Sequence, residues 1–163
     1  MTYLLALLIG VVAGLRAGTA PAAVSWAAYL GWLPGVENSW AWFMGHWLTP
    51  WIFTVLAIAE LIGDQLPSTP SRKTPQQFGA RLISGALSGA TLGAAAGLTI
   101  GCLIAGAIGA VIGTLGGYEA RKRLVAAIGG RDLPIALLED AIAVFGALLI
   151  VSLAMGPIVR TLM

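Results

Sequence analysis

The chain has 163 residues, 58% of them hydrophobic and 10% charged, with a mean hydropathy of +0.90. A soluble domain carries about 25% charged residues, so this chain cannot cover a globule with polar surface, and its net charge of +2 is too small to argue for nucleic acid. A single cysteine, Cys102, excludes a disulfide framework and a cysteine-ligated metal cluster.

The apolar residues fall in long runs without the period-two alternation of barrel strands. This predicts an all-α, polytopic transmembrane helical bundle that forms one domain over 1–163. The first run, Tyr3 to Leu33, exceeds the roughly 20 residues of one straight span. Gly18, Thr19 and Pro21 interrupt it, because Pro21 has no N–H and clashes with the preceding turn. Two half-length helices are expected, about 3–15 and about 20–33, with Thr19 capping the second near Pro21. They make either a kinked span or a re-entrant hairpin. No Lys or Arg precedes the run, so a cleaved signal peptide is not expected.

Residues 34–49 carry Trp40, Trp42 and Trp47, an interfacial belt, and the single histidine, His46, which has no Cys or His partner for a metal. The next helix opens at Pro50 and ends at the turn-rich "PSTPSRKTPQQ". It places Glu60 and Asp64 four apart, on one face. A third segment runs from Phe78 to about Leu98 and a fourth from about Ile100 to Ala120, followed by the basic loop "RKRLVAAIGGRDLP". The fifth opens at Pro134, carries Glu139 and Asp140 in its first two turns, and runs to Met155 before a Gly156–Pro157 break.

Segments three and four carry glycine ladders: Gly85, Gly89, Gly93 and Gly97 in one, and Gly106, Gly109, Gly113 and Gly117 in the other. Small residues on one face let membrane helices approach closely. The ladders build either a homo-oligomer or pore, or a tight hairpin within one chain, which the short "GLTIG" connection favours. Arg72, Lys73 and Arg81 flank one loop, and Arg121, Lys122, Arg123 and Arg131 populate another, two crossings away. Both loops are therefore expected in the cytoplasm, with the tryptophans and the C-terminal Arg160 outside. The side of the N-terminus depends on whether the first segment kinks or reverses.

Arg16 has apolar sequence on both sides. An ionised group at the hydrocarbon centre costs at least ~2.5–3.5 kcal/mol, so it is expected to find a partner inside the bundle. Glu60 is the first choice and Glu139 the second. The half-helix that begins near Thr19 exposes unpaired N–H groups and a positive dipole end, and with Arg16 beside it makes an anion site. Arg16, Thr19, Glu60, Asp64, Glu139 and Asp140 are thus the candidate solute or ion pathway. The leading expectation is a small, homo-oligomeric transporter or channel in the lipid bilayer. Its cargo is an anionic solute with proton or cation coupling, and it needs no cofactor. Two alternatives stand beside it: a non-transporting scaffold that depends on the glycine faces, and a metal-dependent lipid-modifying enzyme. Against the enzyme, no His-Glu-x-x-His helix, Gly-x-Ser-x-Gly elbow or phosphate loop is present.

"GLRAGTAPAAVSWAAYLGWL", "ELIGDQLPSTPSR" and "LLEDAIAV" resemble the signature segments of a bacterial family of small multi-pass membrane proteins, catalogued as domain of unknown function 4126. The likeness runs in outline from Gly14 to Val144. It is sharpest at Gly14-Leu15-Arg16, at Glu60 with Asp64 and Pro67, and at Glu139-Asp140, whereas "RKRLVAAIGG" is not matched. The resemblance implies a bacterial inner-membrane protein and puts emphasis on the same charged residues. It brings no activity with it.

Overall fold

The computed structural model describes residues 1–64, 74–94 and 96–155. Pro67, Arg72, Lys73, the Gly156–Pro157 break and Arg160 lie outside them. The described residues are all-α, with six helices: α1 (Thr2–Leu15), α2 (Thr19–Tyr29), α3 (Thr49–Gly63), α4 (Pro75–Ala94), α5 (Thr99–Ala127) and α6 (Asp132–Ala154). Two short 3-10 turns, Val36–Asn38 and Trp42–Gly45, link α2 to α3. At 29 and 23 residues, α5 and α6 are long and apolar enough to cross a membrane; α1 and α3 are shorter apolar helices.

One boundary departs clearly from expectation. The first half of the predicted basic loop is helical, because α5 continues through Arg121 to Ala127. Arg, Lys, Leu and Ala are strong helix formers, and nothing stops the helix before Gly129 and Gly130. Their φ angles of 75° and 84° end it in the left-handed region that favours glycine.

The centre of the molecule is a three-helix packing of α1, α4 and α5 through glycines. A Cβ at Gly10 would collide with the backbone of Gly106, and one at Gly14 with that of Gly113. On α4, a Cβ at Gly85 would meet the Gly106 carbonyl and one at Gly89 the Cys102 carbonyl. Gly109 and Gly113 sit equally close to the backbone of α1. The ladders are therefore used within one chain, and they join three helices where the sequence suggested two. Gly97 does not belong to them. It lies in the α4–α5 turn at φ 68°, with open space where its Cβ would be, because α4 has already ended at Ala94.

The first segment reverses; it does not kink. Met1 and Thr2 share one pocket of about 260 Å³ with Leu33, Pro34 and Val36, and with Leu92 and Leu153 from the ends of α4 and α6. The Tyr3 ring lies against Gly101 near the start of α5, and Trp40 Nε1 donates to Thr99 Oγ1 at 3.2 Å. So the start of α1, the exit of α2 and the tryptophan-rich connection all lie at one end of the bundle. The turn between α1 and α2 lies at depth from that end. α2 packs against α3 and α6, and α6 also covers α1. α3 is the outermost helix, tied to α2 by Trp26 Nε1, which donates to Thr54 Oγ1 at 3.0 Å.

Candidate functional site: a buried charged layer at a helix break

α1 ends at Arg16, whose backbone is extended (φ −140°, ψ 108°), and α2 restarts three residues later. A break buried in this way exposes the last carbonyls of one helix and the first N–H groups of the next, and each must find a partner. Side chains supply them. Arg81 Nη1 donates to the Gly14 carbonyl at 3.0 Å and to the Leu15 carbonyl at 2.5 Å. Ser84 Oγ donates to the Ala17 carbonyl, while Thr114 Oγ1 lies 3.2 Å from the Gly14 carbonyl and has a closer acceptor in the Ala110 carbonyl, at 2.7 Å. On the other side of the break, the Ala17 and Gly18 N–H groups donate to the two oxygens of Glu60, at 2.8 and 2.6 Å.

Glu60 is thus the cap of α2, a role expected of Thr19. Thr19 is the first residue of the helix and Gly18 precedes it, so the threonine does not stand at the cap position. Its hydroxyl is buried and has no hydrogen-bond partner among the described residues. A carboxylate is the stronger cap, since it is charged and faces the positive end of the helix dipole.

Arg16 is fully buried, at 0% exposure. Its partners among the described residues are Asp64, bonded to Nη1; Asp140, which accepts from Nε at 2.5 Å; and Glu139, 3.8 Å from Nη2. Glu60, the first choice from sequence, is not among them. It lies one turn up α3 from Asp64, and that turn aligns it with the backbone of the break. Glu139, the second choice, is present but at the longest distance. It also accepts from Arg121 Nη1 at 3.3 Å. Asp64 and Asp140, which the sequence could equally place at a membrane surface, are the closest partners.

A second fully buried guanidinium completes the layer. Arg81 is 1% exposed, and its Nη2 lies 3.5 Å from Glu60 and 3.6 Å from Asp64. From sequence it counted only as a loop charge. The signal that finds it is the glycine ladder itself: position 81 is one four-residue step before Gly85, Gly89 and Gly93, so it shares their inward face. At the outer edge of the layer Arg121 forms a two-toothed pair with the exposed Asp132, at 2.8 and 2.6 Å. The break, α3, α4 and α6 thereby meet at one level, about 20 Å along α4 from its end at Ala94, at 1.5 Å per residue.

Two lateral crevices flank the layer. One, about 210 Å³, lies between α5 and α6, lined by Leu15, Leu124, Ile135 and Leu138, with Arg121 and Glu139. The other, about 220 Å³, has α2 as its floor and α3 and α6 as its walls, and Thr19 lines it. No group of three or more His, Cys, Asp or Glu among the described residues is arranged to hold a metal ion. Comparison with protein-family models, with curated proteins and with solved structures gives no match.

Proposed function

We propose that the chain is a small polytopic membrane transporter that moves an anionic solute together with a proton through the charged layer at the α1–α2 break. One observation carries the reading. The carboxylate of Glu60 occupies the place an anionic solute would take: two convergent backbone N–H groups at a helix start, with the Arg81 guanidinium beside them. Helix N-termini are ready-made anion sites, and discontinuous helices that present them near the bilayer middle recur in transporters.

The same contacts supply a coupling. While Glu60 is ionised it fills the site. Once it takes up a proton its charge no longer holds the two N–H groups or Arg81, and an incoming anion can displace it. Release of the anion lets Glu60 return and lose its proton. Arg16 does not exchange partners in this scheme; Asp64 and Asp140 hold it, and it fixes α3 and α6 around the break. In a bilayer the basic end of α5 faces the cytoplasm and the tryptophan end faces outward. The charged layer then lies in the inner half of a hydrocarbon core about 30 Å thick. The two long apolar helices support a membrane placement.

The test is anion-driven proton uptake into proteoliposomes that hold a pH-sensitive dye. Sulfate and methanesulfonate serve as probes, because neither crosses a bilayer as its neutral acid. One of them is expected to drive proton entry above that of protein-free vesicles. Glu60→Gln, which keeps the shape and removes the titration, is expected to abolish proton entry while the protein stays folded. Equal proton entry in the wild type and Glu60→Gln would remove the coupling scheme, and no entry with any probe would remove the transporter reading.

A second reading, a non-transporting scaffold, draws support from the glycine core and from the completeness with which the break is capped. It predicts no flux under any of these conditions.

A further inference from the structure

Resting on the transporter reading above, we propose that the anion received at the break is a single-chain amphiphile. One anionic head sits at the start of α2, and an unbranched apolar tail lies in the crevice between α2, α3 and α6.

The crevice adjoins the anion site directly. Thr19 follows Gly18 in the chain, and Ala57 and Leu61 flank Glu60 on α3; all three line the crevice. Its remaining walls are apolar: Ala22, Ala23, Ile58, Val144, Ala147 and Leu148, with the Trp26 ring. Its second hydroxyl, Thr54, is already committed, since it accepts from Trp26 and donates to the Pro50 carbonyl at 2.6 Å. A small hydrophilic anion gains nothing from such walls, whereas an alkyl chain fits them.

Thr19 is the independent sign of a ligand. Its hydroxyl is buried and unpartnered among the described residues, and an unsatisfied buried hydroxyl is costly. A threonine inside a helix can bond the carbonyl four residues back. Thr19 is the first residue of α2, and the extended Arg16 separates it from α1, so it has no such carbonyl within its own helix. A head with more than one oxygen can meet the Ala17 and Gly18 N–H groups and accept from Thr19 together. Ile58 and Leu148 at the rim are half exposed, so the crevice opens sideways at the surface that faces lipid. An amphiphile already dissolved in the bilayer can slide in tail-first without its apolar part entering water.

The experiment compares octanesulfonate with methanesulfonate in the proteoliposome assay described above, in zwitterionic vesicles. Both have the same head and neither crosses as its acid. In the wild type we expect the apparent affinity to be at least tenfold tighter for octanesulfonate. Val144→Trp, which fills the crevice from its partly exposed wall, should bring the ratio between the two probes close to one. Thr19→Val, which removes the hydroxyl and keeps the shape, should weaken both probes alike and leave the ratio intact. If the wild type handles the two probes equally, or if Val144→Trp lowers both by the same factor, the amphiphile proposal falls while the transporter reading stands. If neither probe moves protons, both fall. Anionic phospholipid added to the vesicles separates the free amphiphile from a bilayer lipid. Loss of the octanesulfonate advantage on its addition would show that a phospholipid holds the crevice, and would overturn the proposal.

Discussion

Arg16 and Arg81 do different work although both guanidinium groups are buried. Arg16 is an ion partner, gripped by carboxylates from α3 and α6. Arg81 is a cap, holding the last carbonyls of α1. Removal of one partner from a buried ion cluster leaves uncompensated charge and costs about 3–5 kcal/mol. Arg16→Ala should therefore lower the thermal unfolding midpoint of the detergent-purified protein sharply. Adding Asp64→Asn and Asp140→Asn to it should recover part of the loss, because the stranded charges are then gone. Arg16→Lys should rescue poorly, since a single ammonium cannot reach two acids as a planar guanidinium does. The sequence shows that Arg16 must be paired, and it confines the partners to α3 and α6. It does not choose between Glu60 and Asp64. The two share a face, and the choice depends on the height of α3 against the break, a shift of about one 5.4 Å turn that no local pattern encodes.

Among the helices, spacing made most of the packing readable and chain order made the rest hard. The four-residue glycine repeat gives the inward faces of α4 and α5 directly. That α1 joins them through Gly10 and Gly14 is less legible, because two glycines in a long apolar run do not announce a ladder. The end of α5 was misplaced because basic residues suggest a loop, although they are good helix formers. The glycines of α5 also allow a test within a single helix. A side chain at Gly109 would run into the Leu7 carbonyl of α1, while Gly116 has open space where a Cβ would go. Gly109→Leu should prevent folding or cost at least the ~1–3 kcal/mol of an overpacked core. Gly116→Leu, on the same helix and equal in added volume, should leave the unfolding midpoint nearly unchanged. Thermal unfolding of both variants in one detergent reads the difference, and equal losses would mean that α1 and α5 do not meet through these residues.

At the scale of the molecule, the fold is a bundle whose first two helices turn back at the charged layer. α3 ends in the layer, at Gly63, whereas α4, α5 and α6 carry on past it: α4 begins before Arg81, α5 continues beyond Arg121, and α6 begins before Glu139. The break was legible from Gly18, Thr19 and Pro21, but the same residues suit a bend or a reversal. What selects reversal is long-range: the start of α1 and the exit of α2 line one pocket. At 14 residues, α1 rises about 21 Å, short of a full hydrocarbon core of about 30 Å, which suits a helix that stops at depth. A hairpin and a kink place the N-terminus on opposite sides of a membrane, so topology separates them. In a Cys102→Ala background, single cysteines at Thr2, Asn38 and Lys122 would be exposed to an impermeant maleimide in intact inverted and right-side-out vesicles. The hairpin requires Thr2→Cys and Asn38→Cys to react from the same side and Lys122→Cys from the other. Should Thr2→Cys react with Lys122→Cys instead, α1 would have to cross the bilayer, the break would no longer be a turn at depth, and Glu60 would have no helix start to cap.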